Sequence, residues 1–464
     1  MLSSVGLFMA ALDTLVVATA LPVLRVDLHA GLSDLEWTVN AYNLSFACLL
    51  LTGAALGERF GRRRVFTIGL GVFTVASAFA ALSPSVGALV AARVVQGAGA
   101  AIIMPLSLTL ISNAFPAEKR GMAIGLWGGI SGLAVAAGPV IGGAVIDGIS
   151  WHWIFWLNVP IGIAIIPMAA KKLTESFGLR AAVDVRGLLL AAGGLFGITW
   201  GLVRSNAAGW TNAEILIGLV GGGALLVAFY AWERRTNNPM LSPELFRRRG
   251  FLAANGVSFF MYAALFGALF LMTQFLETAL GYTPFQAGLR ILPWTAAPMF
   301  VAPIAGSLAD RYGNRLFMGI GLSLQAIGFS WVALIAKPGV SYVELCAALV
   351  IAGVGISMCF PTVANAVVGV VQPHEIGVAS GANSAMRELG GVFGVAVLSA
   401  VFVRPGVYTS AHEFAHGMQA AMWVAAVFSV LGVGAAIRAV GRSGERVVVP
   451  EPAATEVSLV AGRP

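Results

Sequence analysis

Residues Ala54–Arg63 read AALGERFGRR, and 252 positions later Gly306–Arg315 read GSLADRYGNR. Glu58 aligns with Asp310, Arg59 with Arg311, Gly61 with Gly313 and Arg63 with Arg315. A second pair, Gly97 with Met104 and Pro105 and Gly353 with Phe360 and Pro361, recurs at an offset of 256. Self-similarity at a nearly constant offset marks a chain built from two like halves. The element itself has a physical use. Its carboxylate can cap the N-terminus of a neighbouring helix, and its arginines can bond carbonyls or acids across the half, so the cluster can lock one state of a two-state machine. The plainer alternative is that the basic residues only enforce topology.

The surroundings of the repeat decide the solvent. The chain has 464 residues, of which 58% are hydrophobic and 11% charged, with 57 glycines and a mean hydropathy of +0.87. A soluble domain carries about 25% charged residues, so an ordinary cytosolic enzyme is excluded. Windows of about 19 residues predict spans near 2–21, 37–57, 65–82, 87–110, 121–146, 153–170, 184–203, 213–232, 251–275, 286–308, 315–336, 342–364, 377–402 and 417–437. The expected fold is an all-α polytopic membrane protein of fourteen helices. It has an N-terminal six-helix bundle (1–170), two inserted helices with linkers (171–250), a C-terminal six-helix bundle (251–437) and a disordered tail (438–464).

One alternate series of loops, with the tail, carries 21 Lys and Arg, whereas the other carries five. The positive-inside rule then predicts both termini in the cytoplasm and accounts for the net charge of +7 without nucleic acid. Cys48, Cys346 and Cys359 lie in apolar stretches and read as packing residues. Leu2–Leu21 has no basic leader and no small-residue cleavage site, so it reads as a first membrane helix with the true start upstream. The basics number 24 Arg to 4 Lys, which suggests a GC-rich bacterial gene.

Four charges lie more than five residues inside a predicted span: Asp13, Arg93, Arg387 and Glu388. Asp13 sits about 16 Å into its helix, near mid-membrane, where a lone carboxylate is costly and must be protonated, paired or wetted. Arg387 and Glu388 are adjacent, so their side chains point about 100° apart on a helix. The fifth span holds Gly125, Gly128, Gly129, Gly132, Gly138, Pro139, Gly142 and Gly143, a spacing that permits close helix approach and a bend. Asn40, Tyr42, Trp127, Asn255, Met261, Gln274 and Asn383 are candidate cavity-lining positions, with ordinary helix packing the plainer reading of each. The inserted spans 184–203 and 213–232 hold no internal charge and read as lipid-facing. His412–His416 matches H-E-x-x-H, but the following span supplies no third ligand and a zinc protease is rejected.

Several motifs resemble the major facilitator superfamily and its fourteen-helix drug:proton antiporter branch. Besides the repeated turn, they are Leu12–Thr14 with Ala20–Pro22, Arg93–Gly97, Gly138–Gly143 and Trp151–Gly162. The resemblance covers nearly the whole chain from Leu2 to Ile437 and implies two six-helix halves flanking a central cavity. It places Asp13 beside Arg93 there, makes the Gly138–Gly143 stripe a flexible contact between halves, and makes Arg387 a cavity or gate residue. Glu388 departs from the branch, which often has Gln, and is a candidate second proton site. The implied activity is export of lipophilic, often cationic drugs, dyes or antibiotics by alternating access. A proton gradient would drive it, with no cofactor, no enzymatic step and a monomer in the bacterial cell membrane. No Walker motif points to ATP. A pump dedicated to one metabolite, and a non-transporting sensor, are the other readings.

Overall fold

The computed structural model describes residues 2–29, 32–178, 184–236, 239, 241, 243–372, 375–402 and 410–439, and among these the regular structure is all helical. The first half runs α1 Leu2–Asp27, α2 Leu32–Phe60, α3 Arg62–Ala81, α4 Val86–Ala114, α5 Ala117–Gly148, α6 His152–Trp156 and α7 Asn158–Lys172. A pair follows, α8 Val185–Ala208 and α9 Ala213–Glu233. The second half runs α10 Arg249–Gln274, α11 Pro284–Thr295, α12 Ala297–Tyr312, α13 Asn314–Ile335, α14 Tyr342–Gly369, α15 Ile376–Phe402 and α16 Ala411–Ile437. Polar residues at the boundaries start several helices. Ser85, Asp184, Asn212 and Ser410 each accept from a backbone N–H of the first turn, and Thr283 with Gln286 forms a capping box.

Twelve stretches of described residues are helical, long and apolar enough to cross a membrane, rather than the fourteen expected. The short helices α6 and α7 make one such stretch, α11 and α12 another. The expected first and fifth spans are the ones outside the twelve. Each is a continuous helix, of 26 and 32 residues, but the side chains described in them give no uninterrupted apolar window of sufficient length, and α1 contributes only the shorter Leu2–Thr14. Of the tail expected from residue 438, residues 440–464 lie outside the described set.

Both copies of the charged motif fold into the same turn. Gly61 (φ 103°, ψ 126°) breaks α2 from α3, and Gly313 (φ 94°, ψ 144°) breaks α12 from α13. A side chain is strained at such dihedrals, which explains why glycine stands at both places. Successive helices reverse direction, α6 with α7 and α11 with α12 each counting as one, so both turns lie at one end of the bundle, here called the turn end. In the first half α4 packs against α2 and α3, and in the second α13 packs against α14 and α16 and α10 against α15. The halves meet along α5 with α12 and α2 with α15. The first contact depends on missing side chains: a Cβ on Gly125 would stand 2.7 Å from the Ala302 carbonyl oxygen.

The α8–α9 pair is not merely a lipid-facing appendage. Its α8 lies in the seam between the halves, against both α2 and α15. An uncharged apolar sequence does not distinguish lipid from a neighbouring helix as its contact, and here the latter prevails on one face.

Candidate functional site

At the turn end the motif acids reach across the halves. Glu58, 6% exposed, accepts from Arg62 Nε at 2.9 Å and Arg62 Nη2 at 2.7 Å. The same carboxylate lies against Gly377, in the first turn of α15, where any Cβ would collide with it. Asp310 mirrors this arrangement. Its carboxylate lies against the backbone of Gly121, in the second turn of α5, where any Cβ would collide with it, and it accepts from Asn365 Nδ2 at 3.3 Å. Each acid therefore rests on the positive end of a helix from the opposite half. The arginines behave differently. Arg63 pairs with Glu175 at 3.5 Å and bonds the Leu173 carbonyl, Arg59 stacks on Phe60, Arg311 is exposed over Tyr312 and Arg315 is exposed. Sequence reasoning missed Arg62 and Glu175. The i,i+4 spacing of Arg62 from Glu58 was a usable signal, whereas Glu175 acts from a loop 112 residues away, accepting from the Arg63 backbone at 2.8 Å.

Deep in the first half is a closed ionic cluster. Asp13 is 2% exposed and Arg93 1%. Arg93 Nη1 donates to Asp13 Oδ2 and, at 2.7 Å, to Gln96 Oε1, while its Nε donates to the Thr38 carbonyl at 3.0 Å. The other carboxylate oxygen accepts from Gln96 Nε2 at 2.8 Å and Asn158 Nδ2 at 2.9 Å. A buried ion pair is tolerable only when its remaining donors and acceptors are satisfied, and here two amides do so. Gln96 and Asn158 were not anticipated in this role, although Gln96 stands three residues from Arg93 on the same helix face. Tyr42 screens the cluster, its ring 4.3 Å from the guanidinium carbon of Arg93.

On the far side of Tyr42 is a cavity of about 860 Å³. Its wall draws on α1, α2, α4, α5, α8, α10, α11, α12, α14 and α15, largely from mid-helix to the end away from the turns. Of the expected lining positions, Asn40, Tyr42, Gln274 and Arg387 are on it, as is Glu388. Trp127, Asn255, Met261 and Asn383 instead pack between helices. Trp127 donates to Ser107 Oγ at 3.0 Å, Asn383 bonds Asn255 Oδ1 and Ser258 Oγ, and Met261 is buried beside Tyr262, which takes the cavity face one residue later. Trp200, Leu202, Val203 and Arg204 of α8 also line the cavity. In α5, Gly138 and Gly142 are buried and Gly143 lies 3.8 Å, by its missing Cβ, from Phe285, while the side chain of Pro139 lies outside the described residues. His412 and His416 lie at the start of α16 with their Nε2 atoms 3.2 Å apart, and no group of three metal-ligating side chains forms among the described residues.

The profile of the family described as Major Facilitator Superfamily matches residues 3–232 and 254–462. The chain belongs to the Major Facilitator Superfamily. As a superfamily member with twelve apolar crossing stretches it is a multi-pass membrane protein. It is similar to the Tetracenomycin C resistance and export protein of Streptomyces glaucescens, with 34% identity over 398 residues, 85% of this chain and 74% of that one. It is similar too to the Multidrug resistance protein Stp of Mycobacterium tuberculosis (strain CDC 1551 / Oshkosh), 34% identical over 402 residues, 86% and 74% of the two chains. Among solved structures, the human organic anion transporter MFSD10 (TETRAN) shares the fold, with a TM-score of 0.68 at 17% identity over 94% of this chain and 98% of that one.

Proposed function

We propose that this superfamily member is a proton-coupled exporter of lipophilic small molecules of the drug and antibiotic kind, working by alternating access in a bacterial cell membrane. The observation that carries the reading is a drug-sized cavity of about 860 Å³ closed at one end by two reciprocal acid-on-helix contacts, since about 300–1,000 Å³ suits such ligands. The names of its relatives, one for export of a single antibiotic and one for multidrug resistance, support the same activity. At about 1.5 Å per residue, α1 and α5 are about 39 and 48 Å long, enough for each to cross a hydrocarbon core of about 30 Å. On this reading fourteen helices cross, as two six-helix halves with α8 and α9 between them. The turn end, which carries the excess of arginine, is cytoplasmic. The described state is then outward-facing, locked shut on the inside.

In this state Asp13 is held by Arg93. A proton arriving at Asp13 would remove the charge that holds Arg93, and its release inside would restore the pair. Glu388, on the cavity wall itself, is the acid that a cationic substrate or a second proton would meet first. No second copy of the chain is needed to enclose the cavity. The test is proton movement in energised inside-out vesicles on adding ethidium, with wild type and Asp13→Asn compared. Substrate-triggered loss of the gradient in wild type, and its absence in the variant, is expected. An Asp13→Asn protein that discharges the gradient as fast as wild type would falsify the coupling role. A resistance panel separates a broad pump from one dedicated to a single compound, since only the latter protects against one member.

A further inference from the structure

The cavity does not have the charge expected of a simple cation site. The buried acid of the first half is engaged by Arg93 behind Tyr42, while the second half presents an arginine to the same space. Arg387 is 5% exposed, lines the cavity, and forms no ion pair among the described residues; its Nε has no hydrogen-bond partner. Three rings surround its guanidinium carbon, those of Tyr262 at 4.6 Å, Phe360 at 5.4 Å and Trp127 at 5.7 Å. Rings hold a guanidinium by its face and leave its in-plane donors for an acceptor.

Two more cavity residues share this condition. Tyr262, 3% exposed, and Trp294, 1% exposed, also line the cavity; Trp294 Nε1 has no partner among the described residues, and Tyr262 Oη lies beside the Arg387 guanidinium and has no acceptor for its own proton. Three buried groups with a donor left over thus line the same cavity, contributed by α10, α11 and α15. Buried donors are ordinarily satisfied, so donors left over on Arg387, Tyr262 and Trp294 around one cavity leave room for a ligand that supplies the acceptors.

The remaining charges near this wall are few. Glu388 projects about 100° round α15 from Arg387, lines the same cavity and interacts electrostatically with both Arg387 and Tyr262 without forming an ion pair among the described residues. Arg204 at the mouth is paired with Glu214 at 3.5 Å. The rest of the lining is rich in flat rings, including Trp37, Tyr42, Trp200, Phe266, Phe270 and Phe402.

We propose that Arg387, with Tyr262 and Trp294, recognises the anionic oxygen of a planar aromatic substrate, a ring system bearing a carboxylate or an ionised phenol. The proposal rests on the exporter reading above and names the substrate class of that cavity. Arg387 supplies the charge, Tyr262 and Trp294 complete the donor set, and the aromatic lining stacks on the ring system. Glu388 is left for a proton or for a donor group elsewhere on the ligand.

The test uses two xanthene dyes of like ring size and opposite charge, carboxyfluorescein and rhodamine 6G, with the full chain purified in detergent. Fluorescence anisotropy should show carboxyfluorescein bound, its affinity falling about tenfold or more in Arg387→Gln and partly recovering in Arg387→Lys. Rhodamine 6G should bind the variant no more weakly than wild type. Tyr262→Phe, which removes only the hydroxyl, should weaken carboxyfluorescein about threefold and leave rhodamine 6G unchanged. Thermal melting establishes that each variant is folded, and should Arg387→Gln fail, Tyr262→Phe and Trp294→Phe decide the matter by the same anion-selective loss. Equal binding of both dyes, indifferent to these changes, overturns the assignment and leaves the exporter reading standing. Failure of both dyes to bind, together with no transport in vesicles of any compound in the panel, overturns the two together.

Discussion

The Glu58 turn and the Asp310 turn are one sequence element used twice, with nearly the same glycine dihedrals, yet they are held by different chemistry. In the first, an ion pair that is almost wholly buried joins Glu58 to Arg62, and Glu175 adds a second carboxylate over the start of α3. In the second, the position matching Arg62 is Asn314, and Asp310 is met by amides: Asn365 bonds both Asp310 and Asn314. The arginines of the second turn are exposed. The backbone geometry was conserved between the halves of this molecule by glycine, whereas the side-chain partners diverged. One turn is therefore held by a buried ion pair, the other by neutral amides.

The difference should appear first on removal of an acid. Glu58→Ala strands Arg62, 2% exposed, without its partner, and an uncompensated buried charge costs about 3–5 kcal/mol. A large drop in melting temperature in detergent is expected, and a drop no larger than that of Asp310→Asn would erase the contrast drawn here.

The glycines give the next effect. Alanine at Gly61 or Gly313 must adopt positive φ, at about 1–3 kcal/mol. At Gly61 the new Cβ also stands 2.8 Å from the carboxyl carbon of Glu175. Gly61→Ala should therefore be the more damaging of the two, as read by denaturant or thermal unfolding. Equal losses would mean that Glu175 yields freely.

The smallest effect belongs to Asp310→Asn. It keeps an oxygen for Asn365 and loses only the charge near the N-terminus of α5, about 0.3–2 kcal/mol. Melting should barely change. The balance between states should move, so that a cysteine placed near the turn end becomes more reactive to a membrane-impermeant thiol reagent applied from that side. Unchanged reactivity would show that the charge plays no part in closing that end.

Much of this was legible in the chain. The repeat was readable from spacing, and the need of Asp13 and Arg93 for a partner from their place in apolar spans; that they partner each other was implied by the family resemblance. Partners that are neutral were harder to see. Gln96 and Asn158 carry no charge to stand out, and Arg62 was one arginine in a run of three. The expectation for α8 went astray for a related reason: its apolar surface reads the same whether it meets lipid or the α2–α15 seam.

By itself the sequence determined the solvent, the helices, the twofold internal plan and the small set of residues whose burial demands an explanation. Those properties are local or cumulative, and composition, window hydropathy and spacing record them. The tertiary structure alone decided that Tyr42 stands between Asp13 and the cavity, that Met261 is core while Tyr262 is wall, and that Arg387 has no ion pair among the described residues. Each depends on the rotation of one helix about its axis relative to its neighbours. Helices apolar on every side have no stripe to announce that rotation, so it is set by how glycines, rings and buried polar groups fit together once the bundle closes.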